Sequence, residues 1–227
     1  MKIPPLLVSA AACGIFPWLA ACVISVGGSS CSWASIQGSG VEASQTREVP
    51  AFSRVHLSGS ADVIARIGGT QALSLRGDDN LLQYVETEVR GDTLHVGMAP
   101  GSYNFRRDLV VELSLPRLAG LAISGSGDAS LDGVAGEALE LSISGSGDVR
   151  AAGAVERLSV ALSGSGDMDL AQLRAREANV QIAGSGDVSV DVSDKLSVSI
   201  SGSGDVRYSG HPQITTQISG SGSVSGS

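Results

Sequence analysis

Five aspartates recur at nearly constant spacing in this chain: Asp128, Asp148, Asp167, Asp187 and Asp205, separated by 20, 19, 20 and 18 residues. Carboxylates repeated in this way can ligate a hard cation such as Ca2+, or they can accept hydrogen bonds from the backbone N–H groups of their own turns. Calcium asks for roughly six to eight oxygens, and one carboxylate per repeat is thin. Capping is therefore the expected role, no cofactor is expected, and Ca2+ is the alternative. Other reactive groups are scattered. His56, His95 and His211 lie far apart in sequence, and the first two fall in strand-like stretches where solvent-facing rings are expected. There is no HExxH, CxxC or GxSxG element. The serines of the repeats have no His or Lys beside them and are expected to be turn residues. No catalytic residue and no metal ligand beyond the weak Asp candidates is assigned.

Two further motifs are suggestive. Arg76-Gly77-Asp78 and Arg90-Gly91-Asp92 match an integrin-binding tripeptide, but Gly-Asp is ordinary turn chemistry, and turns are the expected reading. The loop Ala99–Arg107 concentrates Tyr103, Phe105, Arg106 and Arg107, a composition favoured at interaction hot spots. It is a candidate contact patch, unless its aromatics simply cover one end of the fold.

The elements that must carry these residues follow from the same repeat. Ser-Gly-Ser-Gly-Asp occurs at 124–128, 144–148, 163–167 and 201–205, with Ala183-Gly-Ser-Gly-Asp187 between them. A last copy at 219–223 ends in Ser223, and a degenerate early one, Ser58-Gly-Ser-Ala-Asp62, lies upstream. Each turn follows an alternating segment such as Leu139-Glu-Leu-Ser-Ile143 or Leu196-Ser-Val-Ser-Ile200, the period-two pattern of a half-buried strand. A second short strand follows, as in Val188-Ser-Val-Asp-Val192. Strand, tight turn, strand and wider turn every 18–20 residues predict an all-β fold, a parallel β-solenoid (β-helix) of right-handed sense. Its rungs stack ~4.8 Å apart and are stable only against one another.

Composition agrees. The chain has 227 residues, 30 of them Gly and 36 Ser, yet 42% are hydrophobic and only 4% aromatic. A flexible linker would lack these aliphatics, whereas a narrow solenoid interior needs Val, Ile and Leu and has little room for rings. The net charge of −8, with Lys2 and Lys195 the only lysines, argues against a nucleic-acid partner. The shortage of aromatics weakens sugar or base stacking.

Upstream, Arg47 to Gly120 predicts an irregular β region that closes the N-terminal end. Its strands are expected near 54–57, 62–67, 72–75, 85–89, 93–96 and 109–115, with a hairpin at Arg90-Gly91-Asp92. A short helix is expected from Leu81, with Asp78, Asp79 or Asn80 as N-cap. Residues 22–46 predict a Gly/Ser-rich tether, and 47–227 the folded domain, regular from 121 onward. Before them, an uncharged apolar stretch from Leu6 to Val26 predicts export. Leu19-Ala-Ala-Cys22 resembles the bacterial lipobox, implying a signal peptide over 1–21 and lipid on Cys22. Ordinary cleavage near Ala34 and an uncleaved anchor remain the alternatives. Each makes the membrane a partner and places the domain in the bacterial cell envelope, periplasmic or surface-exposed. Oligomeric state is not legible.

The combination of Leu57-Ser-Gly-Ser-Ala-Asp-Val63, Asp79-Asn-Leu-Leu82, Val85-Glu-Thr-Glu-Val-Arg-Gly-Asp-Thr-Leu-His-Val96 and the Ile-Ser-Gly-Ser-Gly-Asp repeats resembles the bacterial head-GIN domain family. That family is described as an auto-transporter adhesin or a domain of unknown function. The resemblance covers Arg47 to Val224 and implies an exported β-helical protein with a signal or lipoprotein leader. Ala61 departs from the family's usual Gly. The expected function is a non-enzymatic envelope protein that binds a surface protein or glycan. The alternatives are a carbohydrate-binding or carbohydrate-active β-helix, or a structural envelope scaffold.

Overall fold

A computed structural model describes residues 35–226; the predicted leader and Cys22 lie outside the described residues. The first strands are β1 (Ile36–Gln37) and β2 (Glu42–Arg47), followed by β3 (Arg54–Gly59), β4 (Asp62–Ile67) and β5 (Ala72–Asp78). One 3-10 turn at Leu82–Tyr84 leads into β6 (Val85–Arg90), β7 (Thr93–Met98), β8 (Tyr103–Asn104) and β9 (Val110–Leu115). The regular part comprises β10 (Gly120–Gly125), β11 (Ala129–Gly145), β12 (Val149–Gly164), β13 (Met168–Gly184) and β14 (Val188–Gly202). It ends with β15 (Val206–Ser209), β16 (Gln213–Gly220) and β17 (Val224–Gly226).

The chain is a parallel β-solenoid. From β10 to β16 the long-face strands pair in parallel with equivalent residues in register, so that Ile123, Ile143, Leu162, Ile182, Ile200 and Ile218 form one column. Alternate residues point inward: Leu139, Leu141 and Ile143 are buried, as are Leu158, Val160 and Leu162 in the next rung. The interior is aliphatic, and among the described residues Phe52, near the N-terminal end, is the one buried aromatic ring. Each fully buried Leu, Ile or Val contributes about 1.5–3 kcal/mol.

The corner after the long face explains the Gly-rich motif. Ser146 donates its N–H to the Gly125 carbonyl 3.0 Å away, and the same bond recurs from Ser126, Ser165, Ser185, Ser203 and Ser221. A Cβ on Gly145 would collide with the Gly125 carbonyl, and one on Gly147 with the Gly127 carbonyl. Gly145 also sits at φ 147°, which side chains disfavour. The first turn, 58–62, is the exception that clarifies the rule. No Ser-Gly-Ser-Gly turn stacks beneath it, a Cβ at Gly59 meets nothing within 4 Å, and Ala61 is accommodated there in place of glycine.

The opposite corner departs from expectation. A wider turn was predicted, but β11 to β14 run through it without a break. The differences in rung length enter as bulges: Leu131 to Val134 of β11 faces Ala151 to Gly153 of β12, and Leu170 to Arg174 of β13 faces Val190 to Asp191 of β14.

The N-terminal half belongs to the same stack, out of chain order. Strands β3 and β4 form a rung directly beneath β10 and the start of β11. Strands β7 and β9 form the rung beneath that. Antiparallel β6, β5 and β2 then close the end. The predicted strands and the Arg90-Gly91-Asp92 hairpin are present, with Gly91 at φ 66°. Two expectations need correction. The tether does not extend to residue 46, because β1 pairs with β8 and β2 with β5. Nor is the short helix capped as expected: the residue before it, Leu81, makes no side-chain cap bond, since the Asp78 carboxylate is used elsewhere.

The register makes one direct prediction. Ile143→Asp would place a carboxylate in the sealed ladder and cost more than about 4 kcal/mol, unfolding the domain. Ser142→Asp, one residue away and facing outward, should shift the thermal midpoint by only a few degrees in the same denaturation experiment.

Candidate functional site

The aspartate column lies along the Ser-Gly-Ser-Gly-Asp corner. Each carboxylate accepts the backbone N–H of the equivalent residue one rung on: Asp148 donates to Asp128 Oδ1 at 2.9 Å, Asp167 to Asp148 at 2.9 Å, Asp187 to Asp167 at 2.8 Å and Asp205 to Asp187 at 3.0 Å. The series begins at Asp62, which accepts from Asp128, and ends at Ser223, whose N–H and hydroxyl both bond Asp205 Oδ1 at 2.8 Å. The expected Asx-turn within each rung is thus replaced by a bond between rungs. Those Ser223 bonds, the hydroxyl first, hold the Asp205 carboxyl below its ordinary range.

Asp78 is the one buried charged residue among those described, which removes Arg76-Gly77-Asp78 from any role as a presented tripeptide. Its carboxylate accepts from Gly40 N–H at 2.7 Å, Arg106 N–H at 2.8 Å and Arg107 N–H at 3.1 Å. Burial pushes its pKa up, but these three backbone donors with the Arg107 charge outweigh it and hold the carboxyl below the ordinary range. Gly38 must be glycine here, because a Cβ would strike the carboxylate. At the other tripeptide, Arg90 is tied to Glu88 at 2.6 Å, and Asp92 contacts Arg54, Ser53 and Thr93.

The predicted contact patch is brought together, but as part of the end closure. Tyr103 is half-buried against Tyr84, with ring centroids 5.3 Å apart, and Phe105 packs on the core. Arg106 and Arg107 hold Asp78 through their backbones and leave their side chains exposed.

A broader surface emerges from the register. The long face turns three flat columns outward. One runs through Arg54, Gly120, Glu140, Ser159, Asn179, Ser197 and Thr215; the second through His56, Ala122, Ser142, Ala161, Gln181, Ser199 and Gln217. The third is Ser58, Ser124, Ser144, Ser163, Ala183, Ser201 and Ser219. Beyond Glu140 these columns hold no charge, only hydroxyls, amides and methyls spaced ~4.8 Å apart. A shallow trough of about 310 Å³ lies between Ser142, Ser163, Gln181 and Ser201, and a larger one of about 940 Å³ follows the adjoining edge past Arg157, Glu177 and Lys195. The short face carries charges instead, with Arg150, Asp169 and Arg207 in one outward column.

The histidines also depart from expectation. Parallel pairing of β3 with β7 sets His56 beside His95, their Nδ1 atoms 3.3 Å apart, and His56 Nε2 lies 3.3 Å from Ser124 Oγ. So a repeat serine does have a histidine neighbour. The separation of 39 positions between the two histidines hid this, because the chain returns to build a rung beneath one it has already completed.

The family described as "Putative auto-transporter adhesin, head GIN domain" matches residues 51–212. The chain belongs to the head GIN domain family. Among solved structures, a "putative adhesin" of Bacteroides fragilis superposes with a TM-score of 0.71 at 20% identity, covering 85% of this chain and 100% of its own. A "putative lipid binding protein" of Parabacteroides distasonis gives 0.53 at 26% identity, covering 86% and 100%. A "putative adhesin" of Parabacteroides merdae gives 0.50 at 20% identity, covering 85% and 99%. No curated protein matches the chain. These likenesses establish the head GIN solenoid fold.

The two carboxylate systems make separate predictions. Asp148→Ala removes an inter-rung acceptor and should cost about 1–2 kcal/mol, while Asp148→Asn, which keeps Oδ1, should cost much less. A Ca2+ chelator should leave the denaturation midpoint of the native domain unchanged, since backbone amides already occupy the Oδ1 atoms. At Asp78 the folded pKa is depressed, so the unfolded chain takes up the proton first as pH falls. Its contribution is full at neutral pH and is lost below about pH 4. Asp78→Asn should lower stability at pH 7 and flatten the acid limb of the stability profile.

Proposed function

We propose that this head GIN domain is a non-enzymatic binding module of the cell envelope and that the uncharged long face is its adhesive surface. The observation that carries the reading is the segregation of charge. Ionised groups line the short face, the corners and one edge, whereas the middle of the long face presents hydroxyls and amides at a fixed repeat. Groups that both donate and accept suit an uncharged, regularly hydrogen-bonding polymer surface, and the absence of long charged side chains keeps the entropy cost of docking low. The family description and the adhesin-named structures agree with this reading. A leader with lipid on Cys22 would hold the domain at a membrane.

The Ser124–His56–His95 series has the order of a nucleophile, a base and an orienting group. Acyl transfer also needs free N–H donors facing the reacting oxygen. Near Ser124 they are engaged: Ser126 N–H bonds the Gly59 carbonyl, and Ser124 and Gly125 lie in a paired strand. This favours binding over catalysis.

The reading is tested by adhesion of the purified domain to arrayed glycans and host-surface proteins. Ser163→Arg and Gln181→Arg on the long face should reduce binding at least fivefold with unchanged thermal midpoints. Ser189→Arg on the short face should not. Equal loss from both faces would refute the assignment, and catalytic turnover of an arrayed polysaccharide would favour a carbohydrate-active β-helix.

A further inference from the structure

We propose that His56 and His95 form a transition-metal site on the outer surface of the solenoid. The inference rests on their geometry and does not depend on the adhesive reading. Two imidazole nitrogens bound to one tetrahedral Zn2+ at ordinary bond lengths lie about 3.3–3.4 Å apart, and the two Nδ1 atoms here are separated by 3.3 Å. The rings are already set at 72° to each other, with centroids 5.2 Å apart. Both are half-buried between neighbouring strands, so the pair is largely arranged before any ion arrives.

The surroundings select the ligand nitrogen. When His56 donates its Nε2–H to Ser124 Oγ, its Nδ1 is left with a free lone pair, as a residue behind a metal-binding histidine commonly arranges. In the ion-free protein that lone pair accepts the Nδ1–H of His95. Binding requires His95 to move its proton from Nδ1 to Nε2, a change of tautomer with no net proton lost. Glu88 lies directly across the antiparallel pair from His95, its charge balanced by Arg90 at 2.6 Å. The nearest cation in the adjoining column, Arg54, is neutralised by Glu140 at 2.8 Å and Asp92 at 3.6 Å. Gly120 and Ala122, the next small residues along the face, leave a depression of about 340 Å³ over the pair. Water or a ligand donor can complete the coordination from there. Among the described residues no cluster of three or more His, Cys, Asp or Glu is arranged for a metal. The site is therefore a two-nitrogen one, suited to Zn2+, Cu2+ or Ni2+ and not to Ca2+ or Mg2+, which prefer oxygen.

The test is titration of the full chain with ZnCl2 by calorimetry and with CuSO4 by electron paramagnetic resonance. His56→Gln and His95→Gln should each weaken Zn2+ binding at this site at least tenfold, while His211→Gln changes nothing. The Cu2+ spectrum should show coupling to two nitrogens in the native protein and to one in either variant. Ser124→Ala, which removes the positioning hydroxyl, should weaken binding severalfold, with rescue by Ser124→Thr. Binding and spectra unchanged in the double variant His56→Gln/His95→Gln would overturn the proposal, because any metal held by cysteines elsewhere in the chain would survive in that protein. Unchanged affinity in Ser124→Ala would overturn the role given to Ser124.

Discussion

The close approach of one rung's backbone to the next at the Ser-Gly-Ser-Gly-Asp corner governs everything else in this molecule. Parallel strands stack in register only if the chain turns identically in each rung. A turn that stacks on itself leaves no room for Cβ over the carbonyl below. Glycine supplies the room, the serine amide bonds the carbonyl, and the aspartate oxygen receives the next rung's amide. These bonds carry little energy individually, about 1 kcal/mol each, but they lie in register with the aliphatic columns. The corner thereby determines which side chains are inside, and the hydrophobic columns supply most of the stabilisation.

Much of the fold was legible because one constraint repeats. A single turn of the motif would have been ambiguous, whereas its recurrence with Leu-x-Val-x-Ile before it admits few architectures. The regular rungs, the inward side chains and the closing role of the N-terminal half were all readable. What escaped was non-local. Nothing near His56 announces that His95 will lie beside it, because that contact depends on the chain leaving a completed rung and returning underneath. The continuation of the strands through the wide corner escaped for a different reason. Segments such as Leu131-Asp-Gly-Val134 carry turn-forming residues, and only pairing with neighbouring rungs holds them within the strand.

The carboxylates illustrate how burial separates roles that a motif leaves equal. Asp78 and Asp92 both follow Arg-Gly, yet one is sealed beneath a loop with three amide donors and the other sits at a hairpin tip among exposed partners. Asp78 binds the segment around Gly38–Gly40 to the Arg106–Arg107 loop and so closes the irregular end. The aspartates of the column are solvent-facing and join rungs one at a time. Composition counts all of them toward the same negative charge, but each group stabilises a different boundary of the molecule.

The bulges opposite the Gly-rich corner have an evolutionary consequence. Because surplus residues are absorbed there, a codon gained or lost at that corner leaves the outward columns of the long face in phase. The long face is in this way insulated from insertions and deletions. Rung circumference can change without altering the spacing of the groups on that face, so outward pattern and chain length are decoupled.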